Sequence, residues 1–314
     1  MKITKQKVAA ILAGALLSAN AMAADKVTLL LDWFINPDHG PLIVAQQQGY
    51  FKEQGLEVVM QEPADPSMPP KLVAAGKADM AVSYQPQLHV QVDEGLPLSR
   101  VGTLVATPLN SLVVLESSEI KSIEDLKGKK VGYSVGGFED ALLKAMLARE
   151  GLELSDIEMV NVNWSLSPSL ITGNVDAVIG AYRNFELNQM DIEGHPGRAF
   201  YVEELGVPAY DELVLVVNNK DRKDPKYGRF MRALEKATQF IVNHPDAAWN
   251  SFKSYKADLD NELNKRAWAD TLTRFALRPA ALDTGRYERV GAFMQAQGLT
   301  KSNPAVSTYA IEPK

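Results

Sequence analysis

The segment Asp32-Trp33-Phe34-Ile35-Asn36-Pro37-Asp38-His39-Gly40-Pro41 brings together an indole, carboxylates, an amide and an imidazole. An aromatic ring stacked on a flat ligand adds roughly 0.5–1.5 kcal/mol beyond the area it buries. A carboxylate accepting from an amine adds about 1.5–3 kcal/mol net. Asp32, Trp33, Asn36 and His39 therefore suit recognition of a planar, nitrogen-rich molecule. Similar groups recur along the chain: Tyr84 and Gln85 after Ser83, Ser134 with Gly136-Gly137, Trp164, and Tyr182-Arg183-Asn184 with Glu186. Trp33, Tyr84, Trp164 and Tyr182 are expected to sandwich a ring.

Each of these residues also has a plainer role open to it. Trp33 and Tyr84 could be core, Trp164 could cap a surface, and Arg183 could pair with a neighbouring acid. Asp32 could orient its loop, and Glu186 could complement a helix dipole from the first turn. His39 reads as a hydrogen-bonding group rather than a proton shuttle. Gly136-Gly137 ahead of a helix could cradle a phosphate on backbone N–H groups. The acids Glu139 and Asp140 follow at once and would repel an anion, which favours a neutral or cationic ligand. Catalytic signals are missing. His39, His89, His195 and His244 show no metal-binding spacing, and no nucleophile–base pair, Walker loop or dinucleotide fingerprint is present. No metal, cofactor or catalytic residue is expected.

The elements that must position these groups follow from periodicity and turn residues. Apolar runs at Lys26–Leu31, Leu56–Met60 and Ala78–Ser83 read as strands, with helices over Pro41–Gln54 and Pro70–Ala75 between them. A second series has strands at Val131–Val135, Ile157–Val162 and Ala177–Gly180, with helices at Glu139–Arg149 and Pro168–Thr172. Gly76-Lys77-Ala78-Asp79 and Gly173-Asn174-Val175-Asp176 occupy matching places. The repetition predicts two similar α/β lobes, a hinge of two segments near residues 112 and 214, and helices from Pro225 onward packing on the first lobe. Candidate ligand groups then fall at strand C-terminal ends, where open α/β sheets place their ligand crevice.

Composition narrows the class. The chain has 314 residues and a net charge of −6, which argues against nucleic acid as a partner. It has no cysteine, which excludes disulfides, thiolate sites and a lipidated cysteine. Lys2, Lys5 and Lys7, the apolar run Val8–Leu17 and the small residues Ala21-Met22-Ala23 read as a signal peptide over residues 1–23. The expected destination is a bacterial periplasm.

Several segments resemble the NMT1/THI5-like family: Asp32-Trp33-x-x-Asn36-x-x-His39, Gly49-Tyr50-Phe51-x-x-x-Gly55-Leu56, Gly76-Lys77-Ala78-Asp79, Leu126-Lys127-Gly128-Lys129-Lys130-Val131-Gly132-Tyr133 and Asp176-Ala177-Val178-Ile179-Gly180. The resemblance covers nearly all of the chain after residue 23. It implies an α/β type II periplasmic binding protein fold, with lobe 1 over 24–112 plus 216–314 and lobe 2 over 113–215.

One branch of the family serves ABC importers of thiamine pyrimidine precursors, hydroxymethylpyrimidine or formylaminopyrimidine. Its partners are an inner-membrane permease and its ATPase, and a monomer is expected for this chain. Related binders take riboflavin or other flat aromatic compounds. The other branch makes the pyrimidine from pyridoxal phosphate, using a lysine and a histidine of its own. Ser83 stands where that lysine would be and Gln87 where the histidine would be, which favours the importer branch. There the resemblance implies that Glu186, with Asn36 and Asp32, meets the aminopyrimidine edge, and that backbone around Gly136 and Gly137 meets the substituent.

Overall fold

The computed structural model describes residues 24–314. The expected signal peptide lies outside the described residues. The chain begins with β1 (Asp25–Leu30), α1 (Gly40–Gln47), α2 (Tyr50–Glu53), β2 (Leu56–Gln61), α3 (Pro69–Ala74), β3 (Met80–Ser83), α4 (Gln85–Asp93) and β4 (Leu98–Val105). It continues with β5 (Asn110–Leu115), β6 (Lys130–Tyr133), α5 (Glu139–Arg149), β7 (Glu158–Asn161), α6 (Leu166–Ile171), β8 (Ala177–Tyr182), α7 (Glu186–Ile192) and β9 (Gly197–Tyr201). Then come β10 (Leu213–Asn218) and the helices α8 (Pro225–Asn243), α9 (Pro245–Lys253), α10 (Glu262–Thr271) and α11 (Thr284–Ala296).

The strands form two five-stranded sheets, ordered β2-β1-β3-β10-β4 and β7-β6-β8-β5-β9. In the first, β1 runs parallel to β2 and β3, and β10 runs antiparallel to β3 and β4. In the second, β6 runs parallel to β7 and β8, and β5 runs antiparallel to β8 and β9. The two lobes thus share one plan. The chain crosses between them twice, at residues 106–109 and 202–212. Leu112 pairs within the second sheet, and Leu213 to Leu215 within the first. The strand ends therefore place each crossing a few residues before the divisions expected at 112/113 and 215/216. An apolar run shows that a strand is buried, but not which sheet it joins.

Burial follows the sequence pattern. All six residues of β10 are buried, as expected for a central strand covered on both faces. In α8, Phe230, Leu234, Ala237 and Ile241 form the buried stripe, and the helix packs on α1 and α2. The single helix expected over Pro41–Gln54 is two, because Gly49 has φ 75. Glycine reaches that left-handed region without the Cβ clash that other residues suffer. The strand β4 escapes a hydrophobic scan because it carries Ser99, Arg100, Gly102 and Thr103, yet every residue is buried. Arg100 is accommodated by Thr103 and by the carbonyls of Pro279, Ala280 and Ala281.

Candidate functional site

The C-terminal ends of β1, β3, β6 and β8 face one another across a narrow interlobe cavity. The first lobe contributes Asp32, Trp33, Asn36, Asp38, His39 and Tyr84 to its lining, and the second contributes Val135, Phe138, Glu139, Gly180, Tyr182 and Glu186. No lysine or arginine is among the residues that line it.

The opening segment is rigidly braced. The Asn36 side chain accepts from the Asp38 backbone N–H at 2.8 Å, and the Asn36 N–H donates to His39 Nδ1 at 3.3 Å. This reciprocal capping box fixes the short turn that leads into α1. Because Nδ1 accepts, the imidazole proton sits on Nε2, which donates to Asp32 Oδ1 at 2.9 Å. Asp32 Oδ2 accepts from the Tyr84 hydroxyl at 2.8 Å. His39 is fully buried and holds Asp32, and Asp32 holds the Tyr84 ring in the cavity wall.

The second lobe presents two glutamates that fold back on their own helix starts. Glu139 Oε2 accepts from the Ser134 and Val135 N–H groups at 2.7 and 3.1 Å. Glu186 Oε2 accepts from the Tyr182 N–H at 2.6 Å. The chain's own acids thus occupy the backbone donors of Ser134, Val135 and Tyr182 beside the cavity. Burial pushes both carboxyls up to about 8, against which these hydrogen bonds pull down. Burial likewise raises Asp38 to about 6. Glu139 also packs on Gly180, where a Cβ would collide with its carboxylate.

Just outside the cavity, Glu212 clasps the hinge. It sits on the second crossing and accepts from the N–H groups of Leu109 and Asn110, at 2.6 and 2.9 Å, beside the first. The hydroxyls of Tyr210 and Tyr182 donate to the same carboxylate at 3.1 and 3.3 Å. Burial raises Glu212 to about 7. Arg183 is held by Glu203 in a two-pronged ion pair and does not reach the cavity.

The rings are arranged differently from the expected four-ring sandwich. Tyr84 stacks on Phe138, with centroids 4.5 Å apart and planes inclined by 6°. Trp33 meets Trp164 at 4.5 Å but with a tilt of 57°. Trp164 belongs to a neighbouring groove with Phe34 and Pro168, and it does not line the cavity. Ser134, Gly136 and Gly137 also lie elsewhere, in a polar groove with Asp65, Gln87 and Gln91. Gln85 turns toward the hinge, where its Oε1 accepts from the Asp211 N–H at 2.8 Å. Each of these residues follows a strand end, yet none of them lines the cavity. Asp38, Val135, Phe138, Glu139 and Gly180 are lining residues that sequence reasoning did not select. Asp38 lies within the opening segment, and the sequence offers Glu139 only as an acid that repels an anion. At the positions expected to differ from the synthase branch, the Ser83 hydroxyl donates to Gln87 Oε1 at 2.9 Å, and both residues are buried.

Two α/β lobes of this strand order, crossed twice by the chain and enclosing a cavity, define a periplasmic binding protein fold. The alkanesulfonate-binding protein SsuA of Xanthomonas axonopodis superposes with a TM-score of 0.72 at 15% identity, over 91% of this chain and 97% of that one. Residues 36–248 match the family described as NMT1/THI5 like, and the chain belongs to that family. A Haemophilus influenzae protein named for thiamine biosynthesis is 56% identical over 95% of this chain and 96% of its own. The formylaminopyrimidine-binding protein of Halalkalibacterium halodurans is 35% identical over 73% of this chain and 70% of its own. A 4-amino-5-hydroxymethyl-2-methylpyrimidine phosphate synthase of Saccharomyces cerevisiae is 30% identical over 79% of this chain and 76% of its own.

Proposed function

We propose that the protein captures a thiamine pyrimidine precursor, hydroxymethylpyrimidine or formylaminopyrimidine, between its lobes in the periplasm and delivers it to an ABC permease and its ATPase. The observation that carries this reading is an interlobe cavity walled by rings and buried carboxyl groups, with no lysine or arginine lining it. Such a cavity offers a phosphate or sulfonate no cation and suits a flat ring that offers amino N–H donors. Trp33 and Tyr84 supply ring faces, and Glu186, Glu139 and Asp38 supply acceptors. The relative named as a formylaminopyrimidine binder supports the ligand class. Closure is a population shift, because a ligand touching both lobes stabilises the closed state by its differential affinity.

The protein works in this reading without a chemical step. Some relatives are named synthases, but a serine at position 83 offers no amine for a Schiff base with pyridoxal phosphate. Calorimetry and thermal shift across aminopyrimidines, riboflavin and an alkanesulfonate test the proposal. A ligand at 100 times its dissociation constant adds about 2.7 kcal/mol. That raises the melting midpoint by roughly 2–4 °C per kcal/mol. A response to riboflavin or the sulfonate, with none to any aminopyrimidine, would overturn it.

A further inference from the structure

Asp38 stands where the cavity lining meets the other lobe. It is 1% exposed, and its two carboxylate oxygens face different tasks. Oδ1 accepts from Nδ2 of Asn184, across the cleft on the second lobe, at 2.7 Å. The same Nδ2 meets the Thr271 hydroxyl of α10 at 2.7 Å, and that hydroxyl donates to the Ala267 carbonyl at 2.6 Å. Oδ2 is buried and has no hydrogen-bond partner, although Asp38 lines the cavity. A buried acceptor without a donor is costly, and a native structure keeps one where something else supplies the donor.

Two further contacts extend the Asn184 bond into a line between the lobes. Asn188 Nδ2 donates to Asp270 at 2.8 Å, and Arg266 donates to Asp191 at 2.7 Å. Asn184 just before α7, with Asn188 and Asp191 on it, thus docks this segment on α10 through polar groups. Those two outer contacts are exposed and contribute little alone. The inner end of the line, Asn184 on Asp38, is buried and adjoins the cavity.

We propose that Asp38 ties ligand capture to lobe closure. Its Oδ2 takes an N–H of the ligand's amino group or protonated ring while its Oδ1 holds Asn184. The ligand half of this rests on the capture of an amino-bearing heterocycle argued above. A donor on Oδ2 favours the ionised carboxylate, and an ionised acceptor strengthens the bond to Asn184. By reciprocity, a lobe already latched presents Oδ2 ready-placed and binds the ligand more tightly.

The chain has no native cysteine, so Gln47→Cys on α1 and Ala148→Cys on α5 allow clean spin labelling of the two lobes. Dipolar spectroscopy then reads interlobe distance, and calorimetry reads hydroxymethylpyrimidine affinity. Asn184→Ala should lengthen the distance in ligand-free protein and weaken binding about tenfold, although Asn184 lines no part of the cavity. Asp38→Asn should weaken binding by at least as much. The exchanged pair, Asp38→Asn with Asn184→Asp, should restore the short distance but not the affinity. It also shows that the single variants were not merely misfolded. Wild-type distance and affinity in both single variants would overturn the proposal, as would full recovery of affinity in the exchanged pair. A wild-type protein that binds no aminopyrimidine, hydroxymethylpyrimidine and formylaminopyrimidine included, would overturn the function reading and the ligand half with it. The ligand-free distances would still decide the latch.

Discussion

The ring of Tyr84 lies flat on the ring of Phe138, 4.5 Å away, and the two residues belong to different lobes. Tyr84 is held from behind by its hydroxyl on Asp32, so its face presents a set plane to the other lobe. Phe138 follows the glycine pair and caps the start of α5. The stack is both a wall of the cavity and a contact of the closed form.

Replacing Phe138 with alanine removes a fully buried ring, a change that costs about 3–5 kcal/mol in protein cores. Phe138→Ala should lower the melting temperature and weaken ligand binding together. Phe138→Tyr should keep most of both. Circular dichroism melts and calorimetry on the two variants check this, and an unchanged melt for Phe138→Ala would contradict the packing.

The buried acids set a pH dependence with a definite sign. Glu139 and Glu186 are raised to about 8, Glu212 to about 7 and Asp38 to about 6, while the unfolded chain ionises near 4.5 and 3.8. Between those limits the folded state binds more protons than the unfolded state, so stability falls as pH rises. The contribution is fully present below the unfolded values and is lost on passing through the folded ones. Ligand-free protein should therefore melt at progressively lower temperature from pH 5 to pH 8. Glu186→Gln should flatten that slope by at most about 1.4 kcal/mol per pH unit. A melting temperature that rises across this window would refute the assignment.

His39 should be the Nε2–H tautomer, since its Nδ1 accepts from Asn36. Nitrogen-15 correlation spectra of the imidazole distinguish the two tautomers directly. His39→Ala leaves the buried Asp32 oxygen without its donor, at about 1–3 kcal/mol. It should also loosen Tyr84, so binding falls along with stability.

Gly180 has φ 104 and faces Glu139 where a Cβ would stand. Alanine there meets both backbone strain and a carboxylate, so Gly180→Ala should cost more than about 1 kcal/mol. Denaturant unfolding measures it. The double variant with Glu139→Ala should recover the steric part but not the strain.

Much of this protein was legible before any fold was known. The strand–helix alternation, the two repeated lobes and the cleft position of Asp32, Trp33, Asn36 and His39 all follow from local pattern, because periodicity and turn residues act over short stretches of chain. The same pattern could not say which strand ends open on the cavity and which turn aside. Ser134, Gly136, Gly137, Gln85 and Trp164 follow strand ends just as Asp32 does, yet they lie outside the cavity. The stacking of Tyr84 on Phe138, the folding back of Glu139 and Glu186 onto backbone donors, and the bond from Asp38 to Asn184 were decided only by tertiary structure. Each depends on distant segments meeting at a set angle, and on burial that turns an ordinary carboxylate into one that holds its proton.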